Sequence, residues 1–456
     1  MRTVRPTIPV IAPGDTYEDR EQRVVDAFRE SGGKVRLAKS TSNLFRSRKG
    51  ASGSRLDVRS LCNVLAVDAE AGTVEVEGMT PYETLTDACL AAGTMPLVVP
   101  QLKSITIGGA VSGVGIESSS FRYGLPHESV LSLEVLLASG DVITVTPDNE
   151  HKDLFFGIPN SYGTLGYVLK LTARTRPVLP FVRLKHQRYS DANEYFAALG
   201  EACRGDADFI DGTVFSEGEF YLTLGYFVDE APFVSDYTWL KIYYKSIRER
   251  SEDYLSVRDY IWRWDTDWFW CSKNLYVQNL PARLLLGRRR LNSIAYQKVM
   301  RWNTRVGVTA KINRMLGRHP ESVIQDVDIP LENSAEFLRF FLRELPIRPF
   351  WICPIGGHDP SQRFPLYPLT GEGLFVNFGF WDVVPNPDNH SPGHFNRLVE
   401  DEVRRLGGVK SLYSDSYYEE EQFWQLYDGD EYRRLKKKYD PQGRLRDLYQ
   451  KCVLRE

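Results

Sequence analysis

Residues Gln101–Gly124 read QLKSITIGGAVSGVGIESSSFRYG, and this stretch decides the fold. A short β-type run, Ser104–Ile107, leads into five small or flexible residues: Gly108, Gly109, Ser112, Gly113 and Gly115. Because glycine has no Cβ, such a segment brings backbone close to a ligand, and successive free N–H groups form a concavity suited to pyrophosphate. The pattern GxGxxG is absent, so nothing indicates a Rossmann fold. A glycine-rich turn without a ligand remains an alternative at this point.

Polar and strand-forming segments surround this stretch in a fixed order. Upstream, the polar loop Lys39–Phe45 follows a strand-like run at Lys34–Ala38. Downstream, Ser139-Gly140-Asp141 separates two strand-like runs and predicts a β-hairpin. The segments Asp153–Phe156 and Gly163–Val168 come next.

This ordered set resembles the FAD-binding domain of the vanillyl-alcohol-oxidase/para-cresol-methylhydroxylase (PCMH) superfamily. The run TIGGAVSGVGIESSSFRYG is similar to the Δ24-sterol reductase branch and its bacterial lipid-reductase relatives, which act on methylene-branched fatty acyl chains. Further counterparts are Val257–Trp270, Arg348–Pro354, Ser411–Asp428 and Arg446–Lys451, so the resemblance covers most of the chain. It implies an α+β fold: a PCMH-type FAD-binding domain of two α/β subdomains at 1–178, an α+β substrate or cap domain at 179–405, and a segment at 406–456 that returns to the flavin domain.

Periodicity and breaker residues predict the individual elements. We expect helices at Tyr17–Gly32, Pro81–Ala92, Asp191–Arg204, Asn333–Leu345 and Glu419–Tyr439, and strands at Phe220–Phe227 and Leu374–Phe380. Pro81 suits a first helical position and Gly93 a C-terminal stop.

Composition excludes several functional classes. Lysine plus arginine (57) nearly balance aspartate plus glutamate (60), and no nucleic-acid-binding motif occurs, so no nucleic acid is expected as a partner. The six cysteines lack CxxC spacing and the seven histidines are dispersed, which predicts no metal site. No signal peptide and no apolar run of membrane-spanning length is visible. Because eukaryotic sterol reductases carry an N-terminal anchor that this chain lacks, we expect a cytoplasmic enzyme, peripheral at most at the inner face of a membrane.

By resemblance, the flavin would be held by three segments. The predicted residues are Ser40, Thr41, Ser42 and Asn43 in the first; Pro100, Thr106, Ile107, Gly108, Gly109, Ser112, Gly113, Gly115, Ile116, Glu117 and Ser118 in the second; Gly163, Leu165 and Gly166 in the third. Hydroxyl and amide groups at 40–43 are suitable donors to phosphate. Neither histidine nor cysteine occurs from Leu90 to Pro126, so we predict non-covalent FAD. His127 is interpreted as a polar turn residue.

The resemblance implies reduction of a carbon–carbon double bond, by hydride from reduced flavin N5 and a proton from a site acid. An isolated alkene offers no carbonyl to stabilise a carbanion, so protonation first, giving a tertiary cation, is the easier order. That order needs an acid and aromatic faces. The candidate catalytic residues are Glu117, Tyr260, Tyr413, Asp415 and Tyr417, with Glu421 also considered. Alternation puts Tyr413, Asp415 and Tyr417 on one face; a purely structural role for them, and for Glu117, stays open.

Twelve aromatic residues lie between Tyr237 and Tyr276, including five of the nine tryptophans. They fit either a core of large rings or an apolar pocket for an acyl chain or sterol. Arg283–Leu291 (RLLLGRRRL) joins arginines to leucines, which suits contact with anionic membrane lipid but also a solvated helix end.

The sequence thus predicts an FAD-dependent reductase of a lipid double bond, in a sterol side chain (Δ24) or a methylene-branched fatty acyl chain. NADPH, the expected electron donor, rests on the resemblance alone. An alcohol or sugar-lactone oxidase or dehydrogenase of the same fold is one alternative, and a non-catalytic lipid-binding protein is another.

Overall fold

The computed structural model describes residues 14–39, 45–46, 53–307, 315, 319–357, 359, 361–369, 373–388 and 390–455. The strands in chain order are β1 (Val35–Ala38), β2 (Ser54–Asp57), β3 (Val64–Asp68), β4 (Thr73–Glu77), β5 (Thr94–Pro96), β6 (Val130–Leu136), β7 (Val142–Val145), β8 (Tyr167–Pro177), β9 (Phe181–Tyr189), β10 (Phe209–Ser216), β11 (Glu219–Val228), β12 (Glu252–Ser256), β13 (Glu321–Pro330), β14 (Phe350–Ile355), β15 (Phe375–Val384) and β16 (Val409–Lys410).

The helices follow the same order. They are α1 (Tyr17–Glu30), α2 (Tyr82–Ala91), α3 (Ile107–Gly113), α4 (Ser120–Tyr123), α5 (Lys152–Gly157), α6 (Ala192–Ala202), α7 (Tyr243–Ser246), α8 (Val257–Ile261), α9 (Leu280–Leu286) and α10 (Ser293–Val306), then helices at Leu331–Glu344, His394–Arg405, Glu420–Leu426 and Gly429–Tyr439. Within the described ranges, no helix combines the length and the apolar character needed to cross a bilayer.

Two large sheets organise the described part of the chain. The first has six strands in the order β3-β4-β8-β6-β7, with β5 also on β8, and the short parallel pair β1-β2 is separate from it. The second is an antiparallel sheet of eight strands, β12-β9-β11-β10-β14-β15-β13-β16. The mixed α+β fold predicted from the sequence is confirmed. The break between the large sheets falls between Pro177 and Phe181, beside the predicted boundary, and the division into domains stays a prediction.

Helix α1 closes one side of the first sheet. Thr16 and Asp19 form a reciprocal capping box at its start, which satisfies backbone donors that a helix leaves free. Val24, Val25 and Phe28 then pack into a small core of their own with Leu136 and other apolar residues of the first sheet. The predicted amphipathic helix is therefore present, ending at Glu30.

Most other predicted elements form within a residue or two. Strands β6 and β7 pair as the predicted hairpin, with Gly140 at φ +92° in the turn. Pro81 is the residue before α2 rather than its first helical residue. The predicted helical tail is divided in two, at Glu420–Leu426 and Gly429–Tyr439.

One local expectation is wrong. Ser104–Ile107 is not a strand, since Thr106 makes a single bridge to Pro81 and Ile107 opens the short helix α3. The backbone N–H groups of Ile107 and Gly108 donate to the carbonyls of Thr80 and Gly78, at 3.0 and 2.9 Å. Those two donors are therefore used within the protein and are not free for phosphate.

The last part of the chain contacts the first sheet. Lys436 Nζ donates to the carbonyl of Thr164 (2.7 Å), and Arg444 Nη1 donates to that of Ala138 (2.9 Å). Strand β16, by contrast, pairs with β13 at the edge of the second sheet. The segment after Gly408 thus touches both sheets.

Candidate active site

A cavity of about 900 Å³ lies between the two sheets. Its walls come from β1 and β2, the glycine stretch, the start of β8, and β13, β14 and β15 of the second sheet. A cavity of this size is in the usual range for a cofactor or drug-sized ligand.

Most of the predicted flavin segment lines this cavity. The predicted residues in its wall are Pro100, Thr106, Gly108, Gly109, Ser112, Gly113, Gly115, Ile116, Gly163 and Gly166. Ile107, Glu117, Ser118 and Leu165 are buried elsewhere, away from the lining. The predicted loop Ser40, Thr41, Ser42 and Asn43 lies outside the described residues.

The glycines of the stretch are required by packing inside the protein. A Cβ on Gly108 would lie 2.6 Å from the Gly78 carbonyl oxygen, and one on Gly115 would lie 2.9 Å from Pro100 Cγ. At Gly113 it would meet the ring of Tyr162 at 3.0 Å. Because real Cβ atoms rarely come this close to other atoms, a larger residue at these positions would force the stretch or its neighbours to shift.

Basic side chains dominate the charged part of the cavity wall. They are Arg36, Lys39, Arg46, Arg55, Arg59, Arg446, Lys451 and Arg455, against the acids Asp57 and Asp326. Guanidinium and ammonium groups are the preferred partners of phosphate oxygens. The cavity is therefore suited to a pyrophosphate-bearing cofactor.

Buried polar atoms in this wall lack partners among the described residues. Both amide atoms of Gln101 are buried without a hydrogen bond, and so is Arg36 Nε. Leaving such atoms unpaired costs about 1–3 kcal/mol each, so a polar ligand at this wall would stabilise the protein. The residues present thus fit a dinucleotide such as FAD.

Backbone strain is concentrated at the same cavity. Eight non-glycine residues in the described part of the chain have positive φ, and five of them line the cavity: Val114, Tyr162, Trp268, Phe269 and Arg455. Val114, at φ +65°, is β-branched, which makes this conformation costly. Strain of this kind persists where surrounding structure enforces it and is frequent at ligand sites.

Aromatic rings form the end of the cavity nearest the second sheet. Phe45 lies 5.8 Å (ring centroids) from both Trp268 and Tyr413. Phe269 lies 4.4 Å from Trp381 and 5.8 Å from Trp351. Of the aromatic-rich stretch 237–276, Trp268 and Phe269 line the cavity whereas Trp264 and Trp270 are core. Part of that stretch therefore lines the cavity, and another part is core.

Asp326 and Tyr413 are paired at this aromatic end. The Tyr413 hydroxyl accepts a hydrogen bond from Trp381 Nε1 (2.9 Å) and is hydrogen-bonded to the Asp326 carboxyl. Asp326 Oδ1 has no partner among the described residues. Burial, followed by the nearby Asp328 charge, raises the pKa of Asp326 to about 7 although the Tyr413 bond acts to lower it. Burial also holds the pKa of Tyr413 well above its usual value.

Glu117 and Tyr260, two predicted acids, belong to a separate buried cluster behind the cavity wall. Arg263 Nη2 pairs with Glu117 Oε1 (3.3 Å) and Asp211 Oδ2 (2.7 Å). Ser118 Oγ donates to Glu117 Oε1 (2.6 Å) and lies 2.9 Å from the Tyr260 hydroxyl. Burial raises the pKa of Glu117. Trp351, which does line the cavity, donates from Nε1 to Asp211 Oδ2 (3.2 Å), so the cluster supports the wall from behind.

Tyr413, Asp415 and Tyr417 are half-buried and alternate with buried residues, but the segment 411–417 forms no strand. Of the three, Tyr413 alone is in the cavity lining. Asp415 Oδ1 pairs with Arg455 Nε (3.4 Å), and the Arg455 guanidinium lies 4.9 Å from the Tyr417 ring centroid. Asp415 and Tyr417 thus hold Arg455, one of the basic residues of the cavity wall. Glu421 is exposed on the helix Glu420–Leu426.

His127 lies away from the cavity. It is buried in a 3-10 turn at Pro126–Ser129, its ring 4.4 Å from that of Phe364, and burial lowers its pKa to about 3. Among the described residues that line the cavity there is no histidine and no cysteine. Non-covalent attachment of the flavin stays a prediction.

Comparisons with known proteins indicate a flavin-binding domain. The family described as FAD binding domain matches residues 10–146. The Delta(24)-sterol reductase of Homo sapiens is 28% identical over 406 residues, which cover 86% of this chain and 76% of the human protein. That of Pisum sativum is 25% identical over 448 residues, 89% of this chain and 77% of the pea protein. Cytokinin dehydrogenase 7 of Oryza sativa subsp. japonica is 28% identical over 171 residues, 36% of this chain and 32% of the rice protein. The FAD-binding domain predicted from the sequence is confirmed.

Proposed function

We propose that this protein, an FAD-binding chain similar to Δ24-sterol reductases over most of its length, reduces an isolated carbon–carbon double bond of a lipid. The substrate is a sterol Δ24 bond or a methylene-branched fatty acyl chain, and NADPH supplies the electrons. The observation that carries the proposal is the Asp326–Tyr413 pair at the aromatic end of the cavity that the glycine stretch also lines.

Asp326 is suited to donate the proton. Its pKa of about 7 leaves a large neutral fraction near neutral pH, which is the range in which a general acid is most effective. The Tyr413 oxygen already accepts from Trp381, so its own proton is available to Asp326. Asp326 Oδ1 then carries the proton that can be transferred to the alkene.

The surrounding rings stabilise the charge that this transfer creates. Protonation of the less substituted carbon leaves a tertiary cation, and the faces of Phe45, Trp268 and Phe269 carry the negative part of the ring quadrupole. These rings also keep water from a cation that would otherwise be hydrated. When bound, reduced FAD supplies a hydride, which completes the saturated bond.

The experiment is an anaerobic stopped-flow measurement of flavin absorbance. We expect NADPH to bleach the band, and colour to return only when a lipid with an isolated double bond is added; parallel trials with a Δ24 sterol and a methylene-branched acyl lipid identify the substrate. In D₂O the product gains deuterium at the less substituted carbon. Bleaching by a polar alcohol without NADPH would instead make the protein an oxidase or dehydrogenase.

A further inference from the structure

Helix α10 has an apolar face directed outward. Val299, Trp302 and Val306 are spaced i, i+3 and i+7, so they share one side of the helix, and they are 48%, 58% and 41% exposed. The preceding helix α9 adds Leu284 and Leu285, exposed at 53% and 83%. Exposed apolar side chains on two consecutive helices indicate an interaction surface.

The sequence segment that forms this region carries charge of one sign, although the fold places Asp236 beside it, paired with Arg288. Between Asp267 and Glu321 the sequence has no aspartate or glutamate, but it has eleven lysines and arginines. Arg289, Arg290 and Lys298 are exposed and form no ion pair with any residue that the structure describes. In a chain whose net charge is −3, this is a strong local segregation of positive charge.

The opposite side of α10 belongs to the cavity. Gln297 lines the cavity, and the helix is anchored inward by Ser293 Oγ donating to Asp265 Oδ1 (2.5 Å) and by Tyr296 donating from its hydroxyl to the Thr266 carbonyl (2.8 Å). One helix therefore separates the cavity from the outward apolar face.

We propose that α9, the turn Arg288–Arg290 and α10 dock on an anionic phospholipid bilayer, and that the substrate chain enters the cavity beside Gln297. The cations would meet lipid phosphates while the apolar side chains enter the acyl boundary. A second copy of this chain is a poorer occupant, since the acid beside this surface, Asp236, is already paired with Arg288. The bilayer as the source of substrate rests on the proposed function, but the docking does not.

The test is flotation of the full-length, FAD-loaded protein with phosphatidylcholine vesicles that contain or lack phosphatidylglycerol. We expect binding to the anionic vesicles, weakened by added salt. Combining Arg289→Gln, Arg290→Gln and Trp302→Ser should weaken it at least about tenfold, because each cation near such a surface contributes appreciably. The matched control Val383→Ser with Arg404→Gln, on another exposed surface, should bind as the parent does.

Equal binding to both vesicle types, or a triple variant that binds like the parent, would overturn the proposal. So would sedimentation data in which the triple variant abolishes a dimer while no form of the protein binds vesicles. Assays with substrate dispersed in detergent keep the two proposals apart. If the protein binds vesicles but reduces neither lipid, the docking proposal stands and the proposed function is wrong. If it reduces a lipid in detergent but does not bind vesicles, the proposed function stands and the docking proposal is wrong.

Discussion

Asp326 on β13 is directly opposite Gly379 on β15, and a Cβ on Gly379 would come within 2.6 Å of Asp326 Oδ1. The missing side chain on one strand therefore makes room for the carboxyl on the next. The strand pair accommodates an acid in the cavity wall, next to the aromatic rings that bound the same end.

The rate at which added lipid restores the flavin colour should depend on pH through one group, which is active when it is protonated. With a pKa of about 7 for Asp326, the rate should be constant at low pH and fall about tenfold per unit well above pH 7. Asp326→Asn should slow this step by about 100-fold or more and leave NADPH bleaching unchanged. Glu421→Gln, which removes an exposed carboxylate, is the control and should show neither effect.

Asp326→Asn should also change the thermal stability of the protein, by an amount that depends on pH. Because the folded pKa of Asp326 is raised, its favourable contribution is complete below the unfolded pKa, near 4, and is lost as pH rises through about 7. Asp326→Asn has no such loss, so its Tm relative to the parent should increase between pH 5 and pH 8. A difference that shrinks with pH would contradict the assignment.

Tyr413→Phe removes the hydrogen bond that lowers the pKa of Asp326. The alkaline limb of the lipid-dependent rate should therefore move upward, by about one pH unit if the lost bond is worth about 1.4 kcal/mol. Stopped-flow pH profiles of both proteins measure this shift. If the alkaline limb moved to lower pH instead, loss of the Tyr413 hydrogen bond could not be what changes the pKa of Asp326.

Gly379→Ala should displace the Asp326 carboxyl, since the new methyl group would also meet the Trp381 ring at 2.8 Å. We expect at least a tenfold slower lipid step with FAD affinity unchanged, measured by flavin fluorescence titration. Gly373→Ala is the matched control, because a Cβ there has no atom of the described residues within 4 Å.

Gln101→Leu should weaken FAD binding but stabilise the flavin-free protein. The amide is buried with both polar atoms unpaired, so an apolar replacement should raise the Tm of the flavin-free protein. FAD affinity should fall about tenfold, the equivalent of one neutral hydrogen bond. Fluorescence titration and thermal unfolding test the two parts, and equal affinity for FAD would remove Gln101 from the cofactor site.

Glu117→Gln should act on stability rather than on chemistry. Arg263 keeps its partner Asp211 at 2.7 Å, so the loss should be about 1–3 kcal/mol of unfolding free energy. The pH limb of the lipid step should not move. A displaced limb would return Glu117 to the list of candidate acids.

The cofactor segment could be predicted from the sequence because its glycine spacing is local information and resembles that of a flavin-binding family. Gly108, Gly113 and Gly115 reach the site as expected, but their missing Cβ atoms serve contacts with Gly78, Tyr162 and Pro100 that no local pattern reveals. The same long-range contacts explain why the predicted strand at 104–107 failed. Ile105 N–H donates to the Leu102 carbonyl and Ile107 N–H to that of Thr80, and the chain coils into α3 instead.

For a related reason, Asp326 could not be identified as a site residue from the sequence. In Glu321–Pro330 (ESVIQDVDIP) it reads as one polar residue on a strand, and only the two carboxylates at i and i+2, Asp326 and Asp328, hint at an unusual face. The basic wall was missed too, because Arg36, Arg55 and Arg446 are ordinary arginines until the fold gathers them. Sites assembled from distant strands depend on tertiary pairing, which periodicity does not encode.

The cavity wall begins at Val35 and runs to Arg455 in the sequence. During synthesis, the ribosome has therefore made more than four hundred residues before the last basic group of the wall emerges. The complete basic wall is therefore available to the cofactor only once this whole length has been translated. An excised fragment such as residues 10–146 would lack Lys451 and Arg455 and would be a poor vehicle for studying the bound cofactor.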